Sequence, residues 1–328
     1  MEMKRNSGVL VISLDFELMW GMRDIIRSED NYTLNIINAR KAIPRILDLF
    51  QEYQIGTTWA TVGFLFAESR IELEQYSPQL KPYYNSSKLD PYQEDTGMGE
   101  FDDPFHYAPQ LINYIQKQNR QEIATHTFSH YYCLEKGQTR EMFSADLDSS
   151  LAIAKKFGIQ IRSVAFPRNQ HNHDYDDILL KKGILCYRGN RLNPMYSYGD
   201  KTHHFIYKRL YRLVDTYLNL SGNHLISWDE TVEKSGLCNI RESFFLRPNP
   251  KMFSVFNNLR LKRITQAMTE AAKMNKIFHL WWHPHNFGSN LDQKLEDLKT
   301  ILEHFKACQK YYGMISLNMG ELANILKI

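Results

Sequence analysis

The sequence predicts an α/β fold, a distorted (β/α) barrel of seven or eight parallel strands, built as a single domain with loop insertions. Short runs rich in β-branched and aromatic residues alternate with longer helical patterns along the 328 residues. Repeated strand–helix alternation favours parallel strands, and a chain of this length fits one barrel. The sequence has neither a dinucleotide-binding motif nor a phosphate-binding loop, which disfavours an open nucleotide-binding sheet.

Eight segments have the composition of buried strands, and six stretches between them have apolar residues at helical spacing. The predicted strands are Val9–Leu14, Gly56–Ala60, Glu122–Thr125, Ser163–Phe166, Ile184–Tyr187, Leu225–Trp228, Ile277–Trp282 and Gly313–Leu317. The predicted helices are Ala39–Tyr53, Tyr107–Gln118, Thr139–Phe157, Tyr175–Lys182, Ile264–Met274 and Leu291–Tyr311. Residues 68–106 and 189–260 interrupt this order and are interpreted as insertions on the barrel. Because long loops in compact domains are often functional, both are expected to shape a substrate cleft.

Composition disfavours several classes of protein. The 40 basic and 37 acidic residues give a net charge of +3 without a basic tail, so we expect no nucleic-acid partner. The four cysteines are not spaced as a metal or redox motif, which is typical of a reducing compartment. The first apolar run ends at Asp15 without a signal-peptide pattern, and no run approaches the roughly 20 apolar residues of a membrane span. We therefore expect a cytoplasmic protein.

The strongest local signal is the sequence HTFSH at residues 126–130, directly after a predicted strand. If this segment is helical, the side chains of His126 and His130 face the same side. Imidazole nitrogens bind Zn²⁺ readily, and a catalytic zinc site commonly has three protein ligands and a position for water. The alternative is a pair of surface or capping histidines, since this spacing often recurs by chance.

A second signal is the acidic pair Asp15 and Glu17 at the end of the first predicted strand. Residues i and i+2 of a strand point the same way, so the two carboxylates share one face. Such a pair is unfavourable unless a cation or a proton separates the roles of its members. One carboxylate can then bind a metal ion while the other acts as a general base. The alternative is a solvated strand end.

Two further strand exits carry polar side chains. The sequence WWHPH at residues 281–285 ends a strand with His283 and His285, and FPRNQ at residues 166–170 follows another strand. A histidine beside tryptophan is often a core residue, and the second segment alone is more typical of a structural turn. All four signals, however, lie at the carboxyl ends of predicted parallel strands, the face that carries the active site in β/α barrels.

These segments resemble the polysaccharide deacetylase family, the NodB-homology group of carbohydrate esterases, whose fold is a distorted (β/α) barrel. The ordered motifs of the family are similar to SLDFE, HTFSH, AFPRN and LWWHPH, and TTWATVGF resembles its second strand. The resemblance spans about residues 8 to 320. The chain departs from the common pattern in its acidic pair, which is not two adjacent aspartates. It also departs at Arg168, which follows Pro167, whereas the family's arginine usually precedes the proline.

The resemblance implies a role for each motif residue. The implied ligands of a divalent metal ion, expected to be zinc, are Glu17, His126 and His130. Asp15 would be the general base and His283 the general acid, while Arg168 would lie beside Asp15 and orient it. Trp228–Asp229 is a candidate for the remaining motif of the family. The residues expected to bind the substrate are Trp20, Pro167, Asn169, Trp282 and His285.

The implied reaction is hydrolysis of an N-acetyl or other N-acyl group on a sugar. A cytoplasmic location favours a nucleotide- or lipid-linked precursor of a surface polysaccharide over a finished polymer. The basic and aromatic segment His203–Arg212 is interpreted as a solvated helix face, with contact to a diphosphate or a membrane surface as the alternative. Two other functions stay open, a same-barrel amidohydrolase acting on a cyclic imide or ureide, and a non-catalytic carbohydrate-binding barrel. The second would require loss of a motif residue. The sequence indicates no oligomeric state.

Overall fold

The computed structural model describes residues 7–26, 32–196, 205–248 and 251–327. Within these ranges the strands are β1 Val9–Phe16, β2 Thr57–Thr61, β3 Gln121–Thr125, β4 Ser163–Ala165, β5 Cys186–Arg188, β6 Cys238–Asn239, β7 Phe244–Phe245, β8 Ile277–Trp282 and β9 Ile315–Ser316. The helices are α1 Thr33–Tyr53, α2 Arg70–Tyr76, α3 Pro109–Gln116, α4 Arg140–Lys156, α5 Asp176–Lys181, α6 Phe205–Asp215, α7 Asn257–Lys273, α8 Leu291–Tyr312 and α9 Met319–Lys327.

The strands form one curled parallel sheet in the order β6-β5-β4-β3-β2-β1-β8-β7, with β9 also paired to β1. The segment from β6 to β7 leads from one edge of this sheet to the other. The N–H of Ile240 donates to Tyr187 O at 2.9 Å beside β5, and the N–H of Ser243 donates to His279 O at 2.8 Å on β8. The prediction of a distorted (β/α) barrel is therefore confirmed.

The alternation of side chains along β1 divides the core into two layers. All eight residues of this strand are buried, as in a parallel strand covered on both faces. The even-numbered side chains pack against the helices, whereas Val9 and Val11 lie inside the barrel with Ile277 of β8. Ser13 and Asp15 have the same parity as Val9 and Val11. The strand therefore directs buried polar groups into the barrel near its carboxyl end.

Residues 189–260 differ from the prediction of a plain insertion, because they contain β6 and β7. The predicted strand Leu225–Trp228 is wrong, since Ile226 makes only an isolated antiparallel bridge with Ile277. Two-residue strands such as β6 and β7 are too short to show a periodic pattern.

The basic segment His203–Arg212 is described only in part. His203 and His204 lie outside the described residues, and α6 begins at Phe205. Tyr207 and Leu210 on this helix are exposed. Among the described residues, no helix combines the length and the apolar composition that crossing a membrane requires.

Candidate active site

The carboxyl ends of β1, β3 and β8 meet around a group of buried polar side chains. Glu17 follows β1, His126 and His130 follow β3, and His283 follows β8. The side chains of the first three are 4%, 1% and 2% exposed, and that of His283 is 22% exposed. The structure thus brings together four residues from three separate motifs of the sequence, and His283 is the most exposed of the four.

Three of these side chains converge as a metal site requires. Nε2 of His126 lies 3.4 Å and Nε2 of His130 lies 3.1 Å from Oε2 of Glu17. Nδ1 of His126 lies 2.8 Å from the carbonyl oxygen of Ala165, which can only accept a hydrogen bond, so the proton of a neutral ring is on Nδ1. A lone pair on Nε2 then faces a carboxylate oxygen, an arrangement that is unfavourable unless a cation or proton lies between them. The donor set fits a divalent cation.

The charge states of the other two candidate ligands agree with this assignment. Burial lowers the pKa of His130 to about 4, so its ring is neutral at pH 7. Burial alone would raise the pKa of Glu17, but His283 and the two nearby imidazoles hold it well below its ordinary value. The group therefore offers a carboxylate and two imidazoles, the usual chemistry of a zinc site.

The HTFSH segment is a loop, so the prediction that helical spacing aligns its histidines is wrong. Thr127 and His130 have positive φ angles of 62° and 56°, which are uncommon for residues other than glycine. Asp146 of α4 holds the loop, since Oδ1 accepts the N–H of Phe128 at 2.8 Å and Oδ2 accepts that of Ser129 at 3.1 Å. The two imidazoles converge because this buried carboxylate secures a strained backbone.

Glu17 lies against a glycine that leaves room for its carboxylate. A Cβ placed on Gly21 would lie 2.0 Å from Cδ of Glu17, far closer than two carbon atoms approach. Gly21 belongs to the one-turn helix Leu18–Gly21 that follows β1. The turn after β1 thus provides the space for a glutamate, two positions beyond Asp15, to reach the histidines.

Arg188 at the end of β5 contacts Asp15. Nη1 and Nη2 of Arg188 donate to the two carboxylate oxygens at 2.6 and 2.7 Å, and both side chains are nearly fully buried. Burial alone would raise the pKa of Asp15, but Arg188, together with the nearby His126 and His283, holds it below its ordinary value. Asp15 is therefore ionised at neutral pH. Asn169, predicted to bind the substrate, instead accepts from Nη2 of Arg188 at 3.1 Å.

The structure gives Arg188 the position that the sequence prediction assigned to Arg168. Arg168 forms an ion pair with Asp24, and its guanidinium lies 4.7 Å from the ring centre of Tyr132. The prediction relied on the place of Arg168 beside Pro167, which is buried at the end of β4. A usable signal existed, because Arg188 directly follows a predicted strand, like the other site residues.

His283 lies close to both carboxylates of the site. Its Nε2 is 3.8 Å from Oδ2 of Asp15 and 3.5 Å from Oε1 of Glu17. His285, predicted to bind the substrate, is buried, and its ring stacks on that of His283 with 4.8 Å between ring centres. The buried ring of His285 therefore helps to orient the ring of His283.

Two tryptophans predicted to bind the substrate lie in the core. Trp20 is 1% exposed, and Trp282 is fully buried and packs near Phe50 of α1. Because side chains alternate along β8, Trp282 points to the helices, whereas Trp281 points into the barrel. The guanidinium of Arg188 lies 4.1 Å from the ring centre of Trp281. The tryptophan beside the site is therefore Trp281 and not Trp282, the residue that the sequence predicted.

Residues 68–106 cover one side of the site. The hydroxyl of Tyr84 accepts the N–H of Tyr132 at 2.8 Å, and the indole N–H of Trp20 donates to His106 O at 2.9 Å. The hydroxyl of Tyr132 in turn lies 3.2 Å from Nδ1 of His130. This segment thus contacts Trp20, which follows Glu17 in the chain, and Tyr132, which follows His130.

A second group of possible metal ligands, His171, His173 and Asp176, lies at the start of α5. Nε2 of His171 is 2.7 Å from Oδ1 of Asp176, the distance of a hydrogen bond with a proton between the two atoms. The side chain of His173 is 73% exposed. This geometry is that of a hydrogen-bonded pair, so it fits a cation less well than the group around Glu17.

Comparison with known proteins confirms the resemblance seen in the sequence. The sequence model of the polysaccharide deacetylase family matches residues 29–186. The matched range contains HTFSH and Pro167 but neither Asp15, Glu17 nor His283, whose positions come from the structure. No curated protein matches the chain at a significant level.

Solved structures share the fold over nearly the whole chain. A Mycobacterium smegmatis protein assigned to the polysaccharide deacetylases aligns with a TM-score of 0.62 at 10% identity, covering 100% of this chain and 92% of its own. A similarly assigned protein of Pseudomonas aeruginosa PAO1 aligns at 0.54 and 9% identity, covering 98% and 91%. The allantoinase PuuE aligns at 0.52 and 12% identity, covering 98% and 90%. At such identities the likeness shows the fold alone.

Proposed function

Because residues 29–186 match the polysaccharide deacetylase family, we propose that this protein is a metal-dependent hydrolase that removes an N-acetyl or other N-acyl group from a sugar. The observation that supports this most directly is the convergence of Glu17, His126 and His130 beside Asp15 and His283. The family match supports sugar deacetylation, and the site supplies a ligand set, a base and an acid. The four cysteines are buried and unpaired, which fits the proposed cytoplasmic location.

The site residues can divide the chemistry of amide hydrolysis among them. An amide is a poor electrophile, and water is a poor nucleophile at neutral pH. Glu17, His126 and His130 would hold a divalent cation, expected to be Zn²⁺, which would lower the pKa of water to about 7 and polarise the acyl carbonyl. Asp15, kept ionised by Arg188, accepts the proton of the attacking water. His283 donates a proton to the departing nitrogen so that the C–N bond can break.

Replacing His283 by alanine is expected to lower kcat about a hundredfold, the lower range for loss of a general acid. Metal content should stay unchanged, because His283 is not among the three converging ligands. The measurement is acyl release together with metal analysis of the same preparation, and His173→Ala, an exposed histidine outside the site, is the matched control. Near-native activity of His283→Ala would make the acid assignment wrong, and the stacked His285 would be the next candidate.

The proposed reaction is tested by measuring acetate release from a panel of N-acetylated sugars, before and after removal of divalent metal. We expect acetate from at least one sugar, loss of activity on chelation and recovery when zinc is restored. Hydrolysis of a cyclic ureide without acetate release would favour the same-barrel amidohydrolase, an alternative that the fold shared with an allantoinase keeps open. No turnover by fully metal-loaded protein would favour a non-catalytic carbohydrate-binding barrel.

A further inference from the structure

A cavity of about 430 Å³, here called the basic cavity, lies beside the turn that carries His283. Asn286 lines it, and Oδ1 of the same residue accepts the backbone N–H of His283 at 3.3 Å. Arg247 lines it from the other side, two residues after Phe245, whose ring centre is 5.7 Å from that of His283. The cavity therefore adjoins the proposed acid of the active site.

Cationic side chains line this cavity and also a second, smaller space of about 30 Å³, which shares Arg247 and Arg260 with it. The cationic residues that line the two spaces are Arg191, Arg212, Arg247, Arg260, Arg263 and Lys294. A ligand in the larger space would meet Arg247, Arg260 and Lys294.

Three of these cations are neutralised by buried carboxylates. The ion pairs are Arg191–Glu242 at 3.1 Å, Arg260–Asp297 at 2.5 Å and Arg263–Asp215 at 3.1 Å. Each of these carboxylates is thus already bound by an arginine. Asp297 is the acidic residue in the wall of the basic cavity, so the cavity gains no free negative charge from it.

The other three cations, Arg212, Arg247 and Lys294, have no carboxylate partner among the residues that the structure describes. Arg212 donates to Met195 O at 2.6 Å, and Lys294 donates to the hydroxyl of Ser289 at 2.9 Å. Burial, with the nearby charge of Arg260, lowers the pKa of Lys294 to about 8, and burial also lowers the pKa of Arg247. All three cations are partly buried, so an anionic ligand would offset the cost of removing them from water.

The backbone adds to the positive field of the cavity. Helix α8 begins at Leu291, and Asn290, the residue before it, lines the cavity. Free N–H groups at the start of a helix attract anions. The start of α8, Arg247 and Lys294 thus line the same space.

We propose that the basic cavity binds the phosphate or diphosphate group of the substrate, and that the substrate is an N-acyl sugar linked to phosphate. The inference rests on the proposed function, which places the acyl group at the neighbouring metal ligands. Arg247 is the central residue, because it faces both spaces and a guanidinium fork matches phosphate oxygens in a bidentate manner. Lys294 adds a point charge at the start of α8.

The test is isothermal titration of the metal-loaded full chain with inorganic pyrophosphate, uridine diphosphate and farnesyl diphosphate. We expect Arg247→Gln and Lys294→Gln each to weaken binding at least about tenfold, since each removes a charge-assisted contact. Lys310→Gln, an exposed lysine on the same helix, is the matched control and should bind like the wild type. Arg247→Lys, which keeps the charge, should retain part of the affinity and shows that loss in Arg247→Gln is not unfolding.

The three probes separate the sources of the phosphate. Tighter binding of uridine diphosphate would indicate a nucleotide-linked sugar, and tighter binding of farnesyl diphosphate would indicate a lipid-linked one. Binding that persists in both Arg247→Gln and Lys294→Gln would place the anion elsewhere, for example at the metal, and would overturn the proposal. Absence of binding for all three probes would overturn it as well.

Acetate release distinguishes failure of this inference from failure of the proposed function. Acetate release with diphosphate binding that does not depend on Arg247 or Lys294 would remove the cavity assignment and leave the hydrolase. Diphosphate binding through these two residues, without acetate release from any N-acetylated sugar, would remove the hydrolase proposal and leave the cavity assignment.

Discussion

The His126→Ala variant is expected to lose the bound metal ion, and its N-acyl hydrolysis should fall by at least about a thousandfold. The hydrogen bond from Nδ1 to Ala165 O directs Nε2 of His126 at Glu17. Only Glu17 and His130 would remain as ligands, too few for a stable zinc site. The measurement is metal per protein chain by emission spectrometry, with kcat on the same preparation.

His173→Ala is the matched control for this loss. His173 belongs to the second group of possible ligands, at the start of α5, and its side chain is exposed, so its removal should not disturb the core. We expect this variant to keep both its metal and its activity. A full equivalent of metal in His126→Ala, or loss of metal in His173→Ala, would show that the metal does not bind at Glu17.

The Asp15→Asn variant is expected to lower kcat on the order of 10³–10⁴-fold while metal stays bound. An amide cannot accept the proton of water, and Asp15 is not one of the three converging ligands. The substitution also leaves Arg188 buried without its counter-charge, which costs about 3–5 kcal/mol of stability. Thermal unfolding must therefore accompany the kinetics. Near-wild-type turnover by folded Asp15→Asn would exclude Asp15 as the base.

The Arg188→Gln variant tests the role of Asp15 as the general base independently, through the pH dependence of kcat/KM. Without the guanidinium, burial dominates and the pKa of Asp15 rises. Because the base must be ionised, the acidic limb of the plot of kcat/KM against pH should shift to higher pH. A merely structural role of Arg188 would lower activity at every pH without moving this limb.

Much of the site could be predicted because its strands are regular. The segments that form β1, β3 and β8 are recognisable as strands, so the polar residues that follow them mark the carboxyl edge of the barrel. This reasoning located Glu17, His126 and His283 without any knowledge of tertiary contacts. It also indicated Asp15, whose parity matches that of Glu17.

The other features of the site depend on contacts between residues that are far apart in the chain, which a local sequence pattern does not reveal. Arg188 and Asp15 are 173 positions apart in the chain, and only the curl of the sheet brings them together. The loop of His130 depends on Asp146 in a later helix, and its positive φ angles have no signature in residues that are not glycine. The sequence predicts Trp282 and not Trp281 as a substrate-binding residue, because the sequence alone does not show which face of β8 points into the barrel.

The most direct test of the account is the location of the metal in crystals of the wild-type protein, from diffraction recorded on both sides of the zinc absorption edge. We expect one anomalous peak within about 2.0–2.2 Å of a carboxylate oxygen of Glu17 and of Nε2 of His126 and His130. A peak at His171 and Asp176 instead, or zinc-soaked crystals with no peak at Glu17, would contradict the proposed reaction centre.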